Sequence, residues 1–201
     1  IYTEPNRPPV REGRGIFAAA FMETLPLVPV EEEGRLGDPG LRENFIGRVF
    51  VYHRWQSLLR SGLTPAGLVD FHTNHKFSVL AHDEAAYRAL GQIVAEAGSA
   101  DLPQLVQRYA TLLMTAMKKR ATRKLHSNVL QHIMGYLKEK IDSDDKAELL
   151  EVIANYRHGQ IPLIVPITLL KHHLRRHPDP YITRQYYLKP HPEELMLRNS
   201  L

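Results

Sequence analysis

The stretch DLPQLVQRYATLLMTAMKKRATRKLHSNVLQHIMGYLK, residues 101–138, has the apolar spacing of two successive helices. Asp101 and Pro103 form a helix start, because Asp accepts hydrogen bonds from free backbone N–H groups and Pro is tolerated in the first turn. Apolar side chains then recur every three or four residues, at Leu105, Tyr109, Leu112, Leu113, Ala116 and Met117, and again at Leu125, Val129, Ile133 and Leu137. The spacing is lost across residues 120–124. The stretch therefore predicts two helices separated by a bend or break at a cluster of basic residues.

The same kind of start signal recurs on both sides of this stretch. Upstream, the predicted helices begin after Asp38, Thr64 and Asp83 and end near residues 59, 81 and 98. Downstream, Ser143 is predicted to cap a helix that ends before Gly159, and Pro166 is predicted to begin one that ends before Pro178. One more short helix is predicted in the C-terminal tail. No convincing alternating strand pattern follows residue 38.

The first part of the chain has a different pattern. Residues 1–13 are predicted as a loop, 15–25 as a helix, 27–30 (LVPV) as a short strand and 31–38 as an acidic loop. The predicted fold class is therefore mainly α, a multi-helix domain with a short α/β remnant of an upstream domain at its N-terminus.

The composition excludes several classes of site. With 43% hydrophobic and 24% charged residues in a chain of 201, the protein can bury an ordinary core. It has no cysteine, which excludes disulfides, thiolate-bound metals and Cys nucleophiles within these residues. The most apolar run, residues 161–170, is far shorter than the ~20 residues that span a bilayer. We expect a cytoplasmic protein with no membrane association.

Positive charge is concentrated in residues 102–138, which hold seven Lys or Arg and no Asp or Glu. Five of these cations lie within about two helical turns: Lys118, Lys119, Arg120, Arg123 and Lys124. Such a cluster can neutralise phosphates and release counterions, which is the main source of non-specific affinity for nucleic acids. Alternatively, it forms a solvated helix face whose charge is balanced in space by the acidic stretch 139–151. Arg175 and Arg176 would widen the patch if their helix packs nearby.

Histidine is abundant, with 11 residues, and the sequence FHTNHK places His72 and His75 one helical turn apart. Neutral imidazoles at this spacing can share a metal ion, which the histidines of residues 172–177 could help to bind. In a groove beside Lys76, they could instead form hydrogen bonds with a phosphate or a base. The third interpretation, buried histidines that the protein itself satisfies, is the commonest in helical bundles. The spacing alone leaves all three open.

Catalytic signatures are absent from the sequence. The chain has no glycine-rich phosphate loop, no GxSxG elbow and no HExxH motif. No residue is therefore predicted to be catalytic or to bind a metal, and whether the chain takes part in an enzyme stays open.

Three long motifs resemble the YbgA-like domain family. They are FHTNHKFSVLAHDEAAYRALGQIVA, KKRATRKLHSNVLQHIMGYLK and IPLIVPITLLKHHLRRHPDPYITRQYYLKPHPEELMLRN, in the family's order, within residues 69–199. The preceding segment, PPVREGRGIFAAAFMETLPLVPVEEEGRLGDPGLRENFIGRVF, is similar to the C-terminal end of the thiouracil-desulfidase-like (TudS-like) domain, which is often fused in front. The resemblance predicts the truncated end of a TudS-like domain at 1–48, a connecting helix or linker at 49–68, and a YbgA-like helical domain at 69–201.

Fusions of this kind resemble desulfidases that remove sulfur from 4-thiouridine in tRNA. In those proteins the front domain holds a [4Fe–4S] cluster on cysteines, and the YbgA-like domain is the proposed RNA-binding part. The resemblance implies a module that presents a thiolated uridine to an adjoining desulfidase domain, whose cysteine-bearing part this chain lacks. No cofactor is expected in this chain, and no catalytic residue carries over. Asn74 departs from the family pattern, in which the residue between the two histidines is often basic.

These expectations combine into one prediction, a helical module that binds tRNA or another RNA. The predicted phosphate contacts are Lys118, Lys119, Arg120, Arg123 and Lys124. Weaker candidates are Lys76, Arg175 and Arg176, with His72 and His75 as polar groove residues. Charge alone does not separate DNA from RNA. The alternatives are a protein-interaction or scaffolding module with a basic docking face and, third, a histidine-based metal enzyme.

Overall fold

The computed structural model describes residues 15–199 and contains nine α-helices in this range. They are α1 (Ile16–Thr24), α2 (Pro39–Arg60), α3 (Pro65–His82), α4 (Glu84–Ala95), α5 (Leu102–Lys118), α6 (Arg123–Gly135), α7 (Ser143–Arg157), α8 (Ile164–Arg176) and α9 (Pro180–Thr183). Short 3-10 helices lie at Glu33–Gly37 and Glu193–Leu195. The mainly α fold is confirmed. Within the described range, no helix combines the length and apolarity needed to cross a membrane.

The helix starts read from the sequence are side-chain caps in the structure. The predicted caps Asp38, Thr64, Asp83 and Asp101 each accept a hydrogen bond from a backbone N–H of the following first turn. Each bond satisfies a donor that has no partner within its helix. α5 ends at Lys118 and α6 begins at Arg123, which confirms the predicted break at the basic cluster.

The prediction for the N-terminal part is wrong in one element. Residues 27–30 form no strand, because Pro26 and Pro29 remove backbone donors and the described residues contain no second strand to pair with. Residues 33–37, predicted as loop, form a 3-10 turn, whereas the helix predicted at 15–25 is present as α1. The loop predicted at 1–13 lies outside the described residues.

Two later helix starts also differ from the prediction. α7 is capped by Asp142, whose carboxylate accepts two backbone N–H groups, so Ser143 is the first helical residue and not the cap. α8 begins at Ile164, two residues before Pro166. Both differences follow from local chemistry, because Asp is at least as good a cap as Ser and proline is tolerated anywhere in a first turn.

The segment 49–68, predicted as a connecting helix or linker, packs into the helical body. Most of it belongs to α2, so the predicted boundary between residues 48 and 49 falls inside a helix. Trp55 of α2 is fully buried and stacks on Tyr109 of α5, with ring centroids 5.4 Å apart. It also meets the ring of Phe71 on α3 edge-on at 5.2 Å. α2 is therefore a core helix.

Two hydrophobic clusters form the core, and α3 belongs to both. The first cluster joins α2, α3, α4 and α5 around Trp55. The second joins α3 with α6, α7, α8 and the C-terminal tail around Leu130. α3 contributes Leu68, Phe71 and Val79 to the first cluster and Phe77, Leu80 and Ala81 to the second. It is thus buried along most of its length.

Candidate nucleic-acid interface

The predicted phosphate contacts lie together where α5 ends and α6 begins. Lys118, Lys119, Arg120, Arg123 and Lys124, referred to as the basic junction, are all exposed. Residues 119–122 leave the helical conformation, and Thr122 starts α6 by accepting a hydrogen bond from the Leu125 N–H at 3.2 Å. The structure therefore concentrates these five cations on one short segment of surface.

The basic junction is tied to the body of the protein by two side chains. Asn44 Nδ2 donates to the carbonyl oxygens of Met117 and Lys119, each at 3.1 Å. His82 Nδ1 donates to the Lys119 carbonyl at 2.6 Å. These carbonyls lie at the C-terminus of α5, where a helix leaves its last acceptors without partners. The path of the backbone through the junction is therefore fixed by α2 and α3.

Two of the five cations form ion pairs. Lys119 Nζ lies 2.5 Å from Asp83 Oδ2, and this contact is the largest cause of the lowered pKa of Asp83. Arg120 Nη2 lies 3.6 Å from Asp38 Oδ1. Both acids are helix caps at the starts of α4 and α2. The acidic stretch 139–151, the counter-charge suggested by the sequence, supplies neither partner.

The other three cations, Lys118, Arg123 and Lys124, form no ion pair with an acid of residues 15–199. The guanidinium of Arg123 lies against Gly159, where an added Cβ would stand only 2.7 Å from Nη1. Gly159 also has a φ of +81°, a conformation that glycine adopts at little cost. The turn after α7 therefore makes room for the Arg123 side chain.

The weaker candidate cations lie away from the basic junction. Lys76 holds its ammonium 4.8 Å from the centre of the Tyr181 ring. Arg175 and Arg176 lie in the last turn of α8. Just beyond them, Asp179 accepts a hydrogen bond at 3.4 Å from the side chain of Lys140, so this end of α8 lies near the C-terminal end of α6. Since the basic junction is at the other end of α6, about 20 Å away by helix length, the structure does not bring these residues to it.

The two histidines of α3 lie in the core. His72 Nδ1 is 3.2 Å from the Tyr109 hydroxyl, and burial lowers the pKa of His72 to about 4. His75 is 1% exposed, donates from Nδ1 to the Phe71 carbonyl at 2.8 Å and packs against the Tyr186 ring. Burial lowers the pKa of His75 to about 3. Both rings are neutral near pH 7 and are placed in the protein interior, not in a surface groove.

The hypothetical histidine metal site is not assembled in the described part of the chain. No group of three or more His, Asp or Glu between residues 15 and 199 is arranged to hold a metal ion. A [4Fe–4S] cluster would find no thiolate ligand in this chain either, since the sequence has no cysteine.

A cavity of about 520 Å³ opens beside the basic junction. Its wall is formed by α2, the end of α3, the junction itself, the first turn of α6 and the tail between residues 187 and 198. Arg120 and Arg123 line it directly. Gly47 of α2 also lines it, and an added Cβ there would have no atom within 4 Å. The volume falls in the range of about 300–1,000 Å³ that is typical of ligand pockets.

The cavity wall carries a net positive charge. Its arginines are Arg54, Arg120, Arg123 and Arg198. Its acids are Asp38, opposite Arg120, and Glu43, which accepts from Arg198 Nε at 2.8 Å. Arg54 donates to a backbone carbonyl of the tail at 2.7 Å, and its Nη1 is buried with no partner among the described residues. The four arginines thus exceed the two acids by two charges.

Three histidines line the same cavity: His82, His126 and His191. Burial lowers the pKa of each, and the positive charge of Arg198 adds to the lowering, so all three are neutral near pH 7. Nδ1 of His82 and Nδ1 of His191 donate to carbonyls at 2.6 and 3.1 Å, which leaves each Nε2 as an acceptor. His191 Nε2 is buried and has no partner within the described range.

Sequence reasoning missed most of this cavity. Its wall brings together distant segments, and the Arg198–Glu43 pair joins positions 155 residues apart. Of the residues that line the cavity, only Arg120 and Arg123 were predicted as site residues. The abundance of histidine was a usable signal, but helical spacing drew attention to His72 and His75, which lie in the core and not in the cavity wall.

Comparison with known proteins places the chain in a protein family. Residues 76–192 match the family described as "Protein of unknown function (DUF1722)". The "Uncharacterized protein YbgA" of Escherichia coli (strain K12) is 33% identical over 154 residues, which cover 76% of this chain and 91% of that protein. No solved structure matches the chain. These matches confirm the resemblance to YbgA-like domains.

Proposed function

We propose that this chain, which belongs to the DUF1722 family of YbgA-like domains, binds RNA through its basic junction. The observation that carries the proposal is the presence of Lys118, Arg123 and Lys124 as three exposed cations that form no ion pair with the described residues. Cations in this arrangement bind phosphates and release the counterions that surround a nucleic acid.

The fixed backbone of the basic junction supports the proposal. Asn44 and His82 hold the Met117 and Lys119 carbonyls, so little conformational freedom remains to be lost when a ligand binds. The side chains of Lys119 and Arg120 are each more than half exposed in their ion pairs. Exposed ion pairs contribute little to the free energy of folding. Both cations can therefore exchange their carboxylate for a phosphate at low cost.

The RNA we propose is tRNA, and the proposed partner is a desulfidase domain in the same parent chain. The surface of α1 supports an adjoining protein. Ile16 and Phe17 are 92% and 85% exposed, and no residue of α1 is buried. Large apolar side chains exposed side by side commonly mark contact with another protein surface. In this arrangement the chain contributes RNA binding, and the iron–sulfur cluster and the desulfidation chemistry belong to its partner.

The first test replaces the two lysines of the basic junction that neither pair with an acid nor line the cavity. We expect Lys118→Ala/Lys124→Ala to weaken binding of bulk tRNA by an order of magnitude or more. The slope of the logarithm of the binding constant against the logarithm of salt concentration should fall by about 2, since two phosphate contacts are lost. A salt titration of fluorescence anisotropy measures both quantities.

The matched control is Arg175→Ala/Arg176→Ala, which removes the same charge at the far end of α8. Its tRNA affinity should equal that of the wild type. Unchanged affinity in the lysine variant would contradict the proposal, and no tRNA binding at low salt would favour the alternative of an acidic protein partner. Duplex DNA of equal charge, added as a competitor, decides whether the junction prefers RNA.

A further inference from the structure

We propose that the cavity beside the basic junction binds a single nucleotide, with the phosphate at Arg120 and Arg123 and the base inside. Where that nucleotide is part of an RNA strand, the inference rests on the RNA binding proposed above. A free mononucleotide has the same chemistry, and the experiment below distinguishes the two sources. The inference is carried by the charge and the size of the cavity and by the polar and apolar side chains of its wall.

An anionic group is favoured at the mouth of the cavity. Arg120 and Arg123 are both exposed, and both line the cavity. Arg123 pairs with no acid among the described residues, and the Arg120 contact to Asp38, at 3.6 Å, is too long for a hydrogen bond. Guanidinium groups bind phosphate oxygens through two parallel N–H donors. The phosphate of a free mononucleotide would balance the two-charge excess of the wall, and the singly charged phosphodiester of an RNA strand would balance half of it.

The interior is suited to the ring of a base. Ala121 and Leu197, both half-buried, provide apolar surface. The Ser78 hydroxyl can donate or accept a hydrogen bond, and Nε2 of His82 is an acceptor, because its Nδ1 donates to the Lys119 carbonyl. A nucleobase matches this wall, because it has apolar faces and both donors and acceptors along its edge.

The volume argues against an inorganic ion as the sole ligand. An ion held at the mouth would leave most of the 520 Å³ unfilled. The acids do not favour a cation either, since Glu43 is bound by Arg198 and Asp38 faces Arg120. A ligand with an anionic end and a planar polar body satisfies both parts of the wall.

Gly47 offers a way to fill the cavity without disturbing the fold. It lies within α2, and a side chain added there begins in open space. Gly47→Leu therefore occupies volume that the base would take, while the arginines at the mouth are unchanged. The matched control is Gly135→Leu, at the exposed end of α6, because an added Cβ there also meets nothing within 4 Å and Gly135 does not line this cavity.

Binding is measured with two probes, an RNA octamer of mixed sequence by fluorescence anisotropy and the four ribonucleoside monophosphates by calorimetry. We expect Gly47→Leu to weaken the binding of at least one of the two probes, the octamer or a monophosphate. The expected loss of affinity is about tenfold, which is the contribution of one stacked base. Gly135→Leu should bind as the wild type does. Weakening of the octamer identifies an RNA nucleotide as the ligand, and weakening of a monophosphate alone identifies a free nucleotide.

The inference fails if neither probe responds to Gly47→Leu. Should the octamer still bind in that case and still lose affinity in Lys118→Ala/Lys124→Ala, the RNA-binding function stands and only the cavity assignment falls. A third outcome is that the octamer binds neither the wild type nor any variant, whereas a monophosphate binds the wild type and does not bind Gly47→Leu. In that case the cavity assignment stands and the RNA-binding function falls.

Discussion

Two polar stretches of this chain, HTNHK at residues 72–76 and KKRATRK at residues 118–124, look equally suited to a protein surface. The structure buries His72 and His75 of the first and exposes all five cations of the second. The first stretch lies in the middle of α3, which is covered from two sides, whereas the second lies where the chain passes between two helices. Polar composition therefore indicates a binding surface only when the position within the helix is known.

The largest effect should come from the aromatic core in which the first stretch is buried. Trp55→Ala removes a fully buried ring that contacts Tyr109 and Phe71, and we expect a loss of about 3–5 kcal/mol in the free energy of unfolding. Lys118→Ala, in the second stretch, should change it by less than about 0.5 kcal/mol. Urea denaturation measures both. Similar losses in the two variants would contradict the contrast between the stretches.

Acid should destabilise the protein through the first stretch. In the unfolded chain, His72 and His75 gain protons as the pH falls below their ordinary pKa near 6.5. In the folded protein they remain neutral until about pH 4 and about pH 3 respectively. The unfolded state therefore binds more protons between pH 6.5 and these values, and stability falls as the pH falls through this window.

From pH 7 to pH 5.5 we expect these two histidines to lower the free energy of unfolding by about 2–3 kcal/mol. Urea denaturation at several pH values measures the loss. His72→Gln should reduce the steepness of the pH dependence by about one proton. A free energy of unfolding that is equal at pH 7 and pH 5.5 would show that the two rings are not buried in neutral form.

A medium effect should come from the side chain that fixes the second stretch. Asn44→Ala removes the donors to the Met117 and Lys119 carbonyls and should cost about 1–3 kcal/mol. It should also weaken tRNA binding, because the basic junction becomes free to move. Asn155→Ala is the control, since its side chain is half-buried and is not tied to the basic junction. If Asn44→Ala loses stability but keeps its tRNA affinity, the fixed backbone of the basic junction does not contribute to tRNA binding.

A smaller loss of stability than that of Asn44→Ala should come from Gly159. Gly159→Ala adds a Cβ at a φ of +81° and against the Arg123 guanidinium, and we expect a loss of about 1 kcal/mol. Gly62→Ala is the matched control, because Gly62 has a φ of +85° but open space around its Cβ position. Thermal denaturation should show similar losses, and only Gly159→Ala should change tRNA affinity. Equal affinities would exclude a role for the position of Arg123.

The helical skeleton was largely predictable because its signals are local. A cap such as Asp38 or Thr64 acts on N–H groups two or three residues away, so the sequence contains both partners. The strand predicted at 27–30 is absent for one local reason, the donors missing at Pro26 and Pro29, and for one that is not local, since a strand needs a partner elsewhere in the chain. The predicted cap of α7 was wrong by one residue, because Asp142 and Ser143 are adjacent and both are good helix caps.

The site was predictable only in its charged segment. The absence of acids across residues 102–138 is a one-dimensional signal, and the five cations that it indicated are exposed together in the structure. The cavity depends on contacts such as Arg198 to Glu43 and Arg54 to the Pro190 carbonyl, which join the tail to α2. No spacing rule reports such contacts, because they arise from the packing of helices that are far apart in sequence.

The position of α3 between the two hydrophobic clusters has a consequence for how the protein unfolds. Neither half of the core can lose its structure without exposing one side of the same helix. We therefore expect one cooperative transition in calorimetry, with equal calorimetric and van't Hoff enthalpies. The amide hydrogens around Val79 and Leu80 should be the slowest to exchange with solvent, because only global opening exposes them.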